Sequence, residues 1–384
     1  MSKTLFFSAG DLSGDIHAAR LAREVLRRHP DTKIYALGGA HLKESGAQIV
    51  GDTSKLGVIG FTSAMAVLPR SLRLRLEANR FLQSHKIDAA VLCDWGGFNS
   101  RLLPELNRLN IPSLYYFPPR SWQRKGNVGL AIASLATRIA TPFAWSATRL
   151  KNAGARVEWV GHPLLEIVDE ARKKYSREQT RAELDVGKDE LLVAIFPGSR
   201  DTELKILAPH LAGAMRILQQ KFKGKLRFVV VVPTGAAHRV RAHFSDTPVC
   251  ENRSTEILLA CDAAMVKSGT ITLEAAVCNA PQIVPYDVSP VVHAQICLTG
   301  LHKKVPMIAM PNIIQERMIV PELLGVRCRP QPIADALGSL LENPAARRAM
   351  QLEYSRVREA LGANLPYTAT RRTAEILYEM LSVR

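Results

Sequence analysis

"TLFFSAGDLSGDIHAARLAREVLRR" (residues 4–28) decides the fold: an apolar run breaks at a turn containing Gly10 and Gly14 and gives way to a segment of helical length. There Ile16, Ala19, Ala22, Val25 and Leu26 recur at spacings of three and four, so one helical face turns toward a sheet. The alternation continues through "KIYALGG" (33–39), "DAAVLCD" (88–94), "SLYYF" (113–117) and "ARVEWVG" (155–161). Strands that are apolar throughout are covered on both faces, which predicts a parallel sheet under helices.

The same grammar restarts at residue 191. "LLVAIF" (191–196), "LRFVVVVP" (226–233), "AAMVKSG" (263–269), "PQIVPY" (281–286) and "PMIAMP" (306–311) read as strands, and 204–222, 270–278 and 331–342 as helices. Between the two series lies the highly charged, helix-like "DEARKKYSREQTRAELDVGKDE" (169–190). A chain of 384 residues, 47% hydrophobic, is also long for one core, since single cores rarely grow beyond ~250–300 residues. The expected division is an N-terminal domain 1–168, a C-terminal domain 169–365, and an amphipathic helix in 366–384 that packs on either lobe or on a partner chain. The expected fold class is α/β, two parallel-sheet domains facing across a cleft lined by the C-terminal ends of both sheets.

The six cysteines form no C-x-x-C pair, and no His, Cys or carboxylate spacing suits a metal, so no metal site is expected. "MSKTLFFSAGDLSGD" has too short an apolar run for a signal peptide, and no stretch approaches the ~18–20 apolar residues of a membrane span; a cytosolic location with reduced thiols is expected. The net charge of +16 is unevenly placed: from Leu106 to Val157 every charged residue is basic, and "PRSLRLRLEANRF" (69–81) adds a second basic stretch. Such a field attracts nucleic acid, anionic lipid or phosphorylated ligands. Basic and aromatic residues interleave in one loop only, without an RNA-binding signature, which favours a small phosphorylated ligand and no nucleic acid. In residues 55–82, Val58, Ile59, Phe61, Met65, Val67 and Leu68 precede Arg70, Arg73 and Arg75. That order makes either a face for an anionic membrane or an ordinary surface helix with a basic turn.

Several turns after strands carry chemistry. Gly10 and Gly14 do not make the G-x-G-x-x-G dinucleotide fingerprint, which argues against a nicotinamide cofactor. Asp11 flanks that turn and Asp15 sits in the first helical turn. Asp94 ends an apolar strand, where a carboxylate is either a general base for a hydroxyl or the cap of the helix that follows. "YYFPPRSWQRKGN" (115–127) offers Arg120, Trp122, Arg124 and Lys125 for rings and phosphates. In "PGSR" (197–200) Arg200 follows a strand, and in "VKSGTITLEAA" Gly269 and Thr270 open a helix whose N-terminus suits an anion. Glu274 can accept from vicinal ribose hydroxyls, Asn312 and Arg317 lie in a turn and helix after the last strand, and His162 either packs at the interdomain link or lines the cleft.

Taken together, "AGDLSGD" (9–15), "GVIG" (57–60), "CDWGGFN" (93–99), "VGHPL" (160–164), "PGSR", "SGTITLEAA" (268–276), "MPNI" (310–313) and "VPELL" (320–324) resemble the lipid-A-disaccharide synthase family over nearly the whole length. The resemblance implies two Rossmann-like lobes of the GT-B type and an inverting transfer of acylated glucosamine from UDP to a diacylglucosamine 1-phosphate acceptor, with no cofactor beyond the UDP-sugar. It implies Asp94 at the catalytic centre; Asp11, whose place at the turn points it toward the cleft, is expected to join it. The UDP portion is expected at Ser199, Arg200, Ser268, Gly269, Thr270 and Glu274, with Asn312 and Arg317 near the donor, and the acceptor near Asn99, Arg120, Trp122, Arg124 and Lys125. It further implies a peripheral place on the cytosolic face of the inner membrane through 58–75, and in some members a homodimer that exchanges the C-terminal segment. The chain departs from the family at Asp11, Ser63, Trp145 and Met318, where Glu is usual, and at Gly97, where a second Asp is usual. Competing expectations are a UDP-sugar 2-epimerase-like enzyme and a non-catalytic relative that binds a UDP-sugar or lipid.

Overall fold

The computed structural model describes residues 3–53, 61–124, 129–288 and 306–382, with the backbone alone for 61–68. The chain forms two compact units, Met1–Pro163 with Leu361–Arg384, and Leu164–Ala360.

The first unit runs β1 (Thr4–Ala9), α1 (Leu12–Arg28), β2 (Lys33–Gly38), α2 (Ala40–Glu44), β3 (Gln48–Asp52), α3 (Phe61–Ser84), β4 (Ala89–Cys93), α4 (Gly96–Arg108), β5 (Ser113–Tyr116), β6 (Arg138–Thr141), α5 (Ala144–Asn152) and β7 (Val157–Trp159). All neighbours are parallel, in the order β3-β2-β1-β4-β5-β6-β7. The central strands are covered on both faces: Leu5, Phe6 and Phe7 of β1 and Ala89 to Cys93 of β4 have no exposed surface. Because the winding reverses between β1 and β4, the connections leaving their C-terminal ends diverge and open a crevice above the sheet.

The second unit repeats this plan with α6 (Leu164–Lys174), α7 (Arg177–Glu183), β8 (Leu191–Phe196), α8 (Asp201–Phe222), β9 (Leu226–Val232), α9 (Ala237–Val240), β10 (Val249–Glu251), α10 (Ser254–Ala260), β11 (Ala263–Val266), α11 (Thr270–Val277), β12 (Gln282–Tyr286), α12 (Met310–Gln315), β13 (Glu322–Leu324), α13 (Pro330–Glu342) and α14 (Pro344–Ala360). Its parallel sheet has the order β10-β9-β8-β11-β12-β13, so the reversal falls between β8 and β11. The chain then returns to the first unit with α15 (Ala369–Ser382). Ile376, Leu377, Met380 and Leu381 join the core of β1 and α1, each worth about 1.5–3 kcal/mol of burial. Arg372 fixes the helix by bonding Glu158 on β7 and Glu379, and Arg28 on α1 bonds Glu375.

Four readings of the sequence differ from the structure. The unit boundaries fall at 163/164 and 360/361 rather than at 168 and 365, because α6 packs on α10 and α11. No strand forms at 306–311; there the N–H groups of Ile308 and Ala309 donate to the carboxylate of Glu322, at 3.0 and 2.9 Å, and α12 begins at Met310. The edge strand is instead β13, from the segment expected to be turn and helix. β6, whose short "RIAT" begins with a charge, is absent from the expected strands, as are the edge strands β3 and β10.

Of the membrane candidates, Val58 and Ile59 lie outside the described residues, as does Lys125, and so do the side chains of Phe61, Met65, Val67 and Leu68. Arg70 and Arg73 are exposed and Arg75 is half-buried. Leu72 and Leu76, one turn apart on α3, are each 49% exposed between these cations. No helix among the described residues is long and apolar enough to cross a membrane.

Candidate active site at two switch points

In the first unit the crevice is built on the ends of β1 and β4. Asp11 caps α1: its Oδ1 accepts from the Gly14 N–H at 2.7 Å. Asp94 and Trp95 both adopt left-handed backbone, φ 49° and 46°, a conformation that costs of order 1–3 kcal/mol per residue and is typical of functional turns. The indole of Trp95 lies over Gly10 so closely that a Cβ there would come within 2.0 Å of the ring, and it stacks on Phe98 at 3.8 Å. The turn aims Asp94 toward the start of α1; a Cβ at Gly14 would sit 2.7 Å from Asp11 Oδ1 and 3.7 Å from Asp94 Cβ. Burial first, and the charge of Asp11 second, push the Asp94 carboxyl up to about 7, against the lowering pull of the Trp95 N–H.

Asn99 lies beneath this pair with no exposed surface. Its Oδ1 accepts from Ser8 Oγ at 2.6 Å, and its Nδ2 donates to the carbonyl oxygens of Asp94 at 3.0 Å, Ser8 at 3.3 Å and Cys93 at 3.4 Å. The expected substrate contact is therefore corrected: the amide is spent on tying β1 to β4. Asp15 is likewise internal, its carboxylate accepting from the N–H groups of Gly39 at 2.7 Å and His41 at 2.9 Å to hold the turn after β2.

The loop after β5 is anchored by a residue the sequence marked only as a departure. Trp145 donates from Nε1 to the Ser121 carbonyl at 3.0 Å, stacks on Phe143 at 4.6 Å, and lies 4.3 Å under the guanidinium of Arg124. Arg149 adds a bond to the Gln123 carbonyl at 2.8 Å. Arg124 is thus turned onto α5, whereas Arg120 is exposed and Trp122 half-buried. Behind the loop His17 stacks on Phe117 at 4.6 Å and meets His162 edge-on at 5.8 Å. Burial, with Arg20 nearby, drives His17 down to about 3; burial and then His17 hold His162 well below the usual imidazole range. His162 is a packing residue.

In the second unit the crevice lies between β8 and β11. Glu203, in the first turn of α8, organises it: Oε1 accepts from Arg200 Nη1 and Lys267 Nζ, each at 2.7 Å, and Oε2 from the N–H groups of Ser199 at 3.1 Å and Arg200 at 3.4 Å. Burial opposes ionisation of Glu203, but Lys267, the Ser199 N–H and Arg200 together outweigh it and hold the carboxyl below its usual range. Gly269 caps α11 at φ 148°, with Thr270 exposed beside it and Ser268 Oγ bonded to the Ile308 carbonyl at 2.9 Å. Glu274 Oε1 accepts from Ser254 Oγ at 2.8 Å and Thr255 Oγ1 at 2.6 Å; burial raises its pKa and the two hydroxyls oppose the rise.

Asn312 does not belong to a ligand surface. It has no exposed surface, its Oδ1 accepts from the N–H groups of Ile319 and Val320 at 2.7 and 2.9 Å, and its Nδ2 donates to the Val320 carbonyl at 2.9 Å and Glu322 Oε1 at 2.8 Å. The expected donor contact is corrected to a staple for the segment before β13. Arg317 pairs with Glu353 on α14, and Met318 is exposed. Sequence reasoning missed Glu203, Glu322, Ser254, Thr255 and Trp145 as organisers; for Glu203 a signal existed in its place three residues after Arg200, in the first turn of a helix.

Comparison with known proteins bears on both crevices. The family profile for Lipid-A-disaccharide synthetase matches residues 5–376. The lipid-A-disaccharide synthase of Prochlorococcus marinus (strain MIT 9313) is 34% identical over 393 residues, covering 97% of this chain and 98% of that protein. The enzyme of the same name from Neisseria gonorrhoeae (strain ATCC 700825 / FA 1090) is 31% identical over 383 residues, 97% and 96% of the two chains. Among solved structures, UDP-GlcNAc 2-epimerase from Neisseria meningitidis bound to UDP-GlcNAc superposes with a TM-score of 0.67 at 12% identity over 100% of both chains. MurG of Acinetobacter baumannii gives 0.57 at 15% identity over 99% and 100%. At these identities the two structures speak for the fold alone.

Proposed function

The chain belongs to the lipid-A-disaccharide synthetase family and is a hexosyltransferase-type enzyme, and from that premise we propose that it moves an acylated glucosamine, with inversion, from UDP to a diacylglucosamine 1-phosphate or related glycolipid. Asp94 takes the proton of the acceptor hydroxyl. The freed oxygen forms its bond to the anomeric carbon as the bond from that carbon to the diphosphate breaks, and the electron pair leaves with UDP. The observation that carries the reading is the turn after β4, which sets the Asp94 carboxyl beside Asp11 at the start of α1; burial and the charge of Asp11 raise that carboxyl to about 7, which suits a base near the working pH. Asp11 touches neither reactant in this scheme; it acts through Asp94, whose proton affinity it raises.

Arg200 and the start of α11 at Gly269 and Thr270 receive the charge that develops on the diphosphate. Glu274, steadied through one oxygen by Ser254 and Thr255, offers the other to the ribose hydroxyls. Arg120 at the exposed edge of its loop favours an anionic acceptor. The exposed Leu72 and Leu76 among Arg70 and Arg73 support peripheral contact with the anionic cytosolic face of the inner membrane.

Incubation with UDP-2,3-diacylglucosamine and the glycolipid acceptor tests the proposal: disaccharide and UDP appear together, and D94N abolishes both. Free sugar released without acceptor would instead support the epimerase-like reading. Tight UDP-sugar binding without transfer, indifferent to D94N, would support a non-catalytic relative.

A further inference from the structure

We infer that Lys267 is a second cation for the donor's diphosphate, acting beside Arg200; this rests on the reading of the second crevice as the UDP site. Lys267 stands one residue beyond β11, and its backbone N–H donates to the carbonyl of Phe196, the last residue of β8, at 3.0 Å. Its root is therefore pinned at the point where the two strands' connections part. Its ammonium reaches across to Glu203 and lies 3.6 Å from where a Cβ on Gly269 would stand, at the mouth of α11.

The cations converge on one carboxylate at the start of a helix. Glu203 already receives the Arg200 guanidinium and the N–H groups of Ser199 and Arg200. Lys267 adds a second cation on the same carboxylate oxygen, beside the start of α11. The side chains of Lys267 and Glu203 are each only 15% exposed. An ammonium held at such burial beside a helix N-terminus is placed to meet an arriving anion. A lysine ammonium carries three donors; one meets Glu203, leaving two for phosphate oxygens. Both cations bond the same Glu203 oxygen, so they stand within the span of two hydrogen bonds of each other, a spacing that suits adjacent phosphoryl groups. The lysine adds a point charge beside the planar fork of Arg200, the two modes of phosphate recognition these side chains provide. As the bond to the sugar breaks, the added negative charge meets this cluster and the N-terminus of α11 together.

The test is calorimetric titration of the full chain with UDP and with uridine, for the wild type, K267M and K267R. A charge-assisted hydrogen bond at this burial predicts that K267M binds UDP about 10- to 100-fold more weakly, with uridine within about twofold of wild type. K267R should recover most of the loss, and the salt dependence of UDP binding should flatten in K267M. Should K267M fail to fold with Glu203 stripped of one partner, E203Q/K267M is read in the same way. UDP affinity within twofold of wild type in the folded variant overturns the role of Lys267 and leaves the UDP site standing. A wild type that binds UDP no better than uridine overturns the UDP site itself, and this inference with it.

Discussion

The two units share a winding and differ in what they hold at the reversal. Between β1 and β4 the side chains are acidic: Asp11, the extended cap of α1, and Asp94, in a left-handed turn, both backed by buried imidazoles without charge. Between β8 and β11 they are cationic, Arg200 and Lys267 gathered on one carboxylate at the start of a helix. The topology supplies a crevice; the chemistry comes from a handful of residues just past the strand ends. One crevice is arranged to raise a carboxylate's proton affinity, the other to receive negative charge.

Substituting each crevice's central group should break the contrast in a different kinetic constant. D94N removes the base and should lower kcat by about 10²–10⁴ with little change in donor KM, read from UDP release. The same substitution should raise the melting temperature above neutral pH. Asp94 is protonated up to about 7 in the folded state and only to 3.8 in the unfolded one, so ionisation between these values favours unfolding. Next in size, S254A/T255A leaves Glu274 buried without its two hydroxyl donors. Donor KM should rise about tenfold and become steeper with pH, because the carboxyl then holds its proton more firmly.

A subtler change sharpens the comparison. In the wild type kcat/KM should climb with pH, pass half-maximum near 7 as Asp94 ionises and level off above it; D11N should move that limb to lower pH by removing the neighbouring charge. Asn is as good a helix cap as Asp, so the turn itself survives the change. The smallest effect concerns stability. His17 titrates at about 3 when folded against 6.5 when unfolded, so the unfolded state binds the extra proton between those values and stability falls as pH drops below 6.5. At pH 5 this amounts to about 2 kcal/mol, and H17F should lose part of that acid sensitivity in thermal melts.

The central strands were legible because burial on both faces leaves an uninterrupted apolar run, as in "LLVAIF" and "AAVLC". Edge strands carry no such mark: β13 reads "ELL" and depends on Glu322 turning inward to hold Ile308 and Ala309. The turns bearing Asp94, Arg200 and Gly269 were legible for the same reason as the strands before them. What could not be read was which polar side chains are already spent. Asn99 and Asn312 look like ligand contacts by type and position, yet both are consumed by bonds inside the protein. Thr255 and Glu274 lie nineteen positions apart, and only the folded stacking of α10 against α11 joins them. Trp145 shows the converse: nothing in its place in the sequence marks it as an anchor, yet it holds the loop after β5 through the Ser121 carbonyl and the Arg124 guanidinium.

The return of α15 to the first unit reverses the order in which the molecule can mature on the ribosome. Residues 164–360 are one uninterrupted insert and can fold as they emerge. The unit whose strands are made earliest lacks Ile376 and Leu377 against α1 until synthesis has passed residue 381. The crevice holding Asp94 is therefore begun first and completed last.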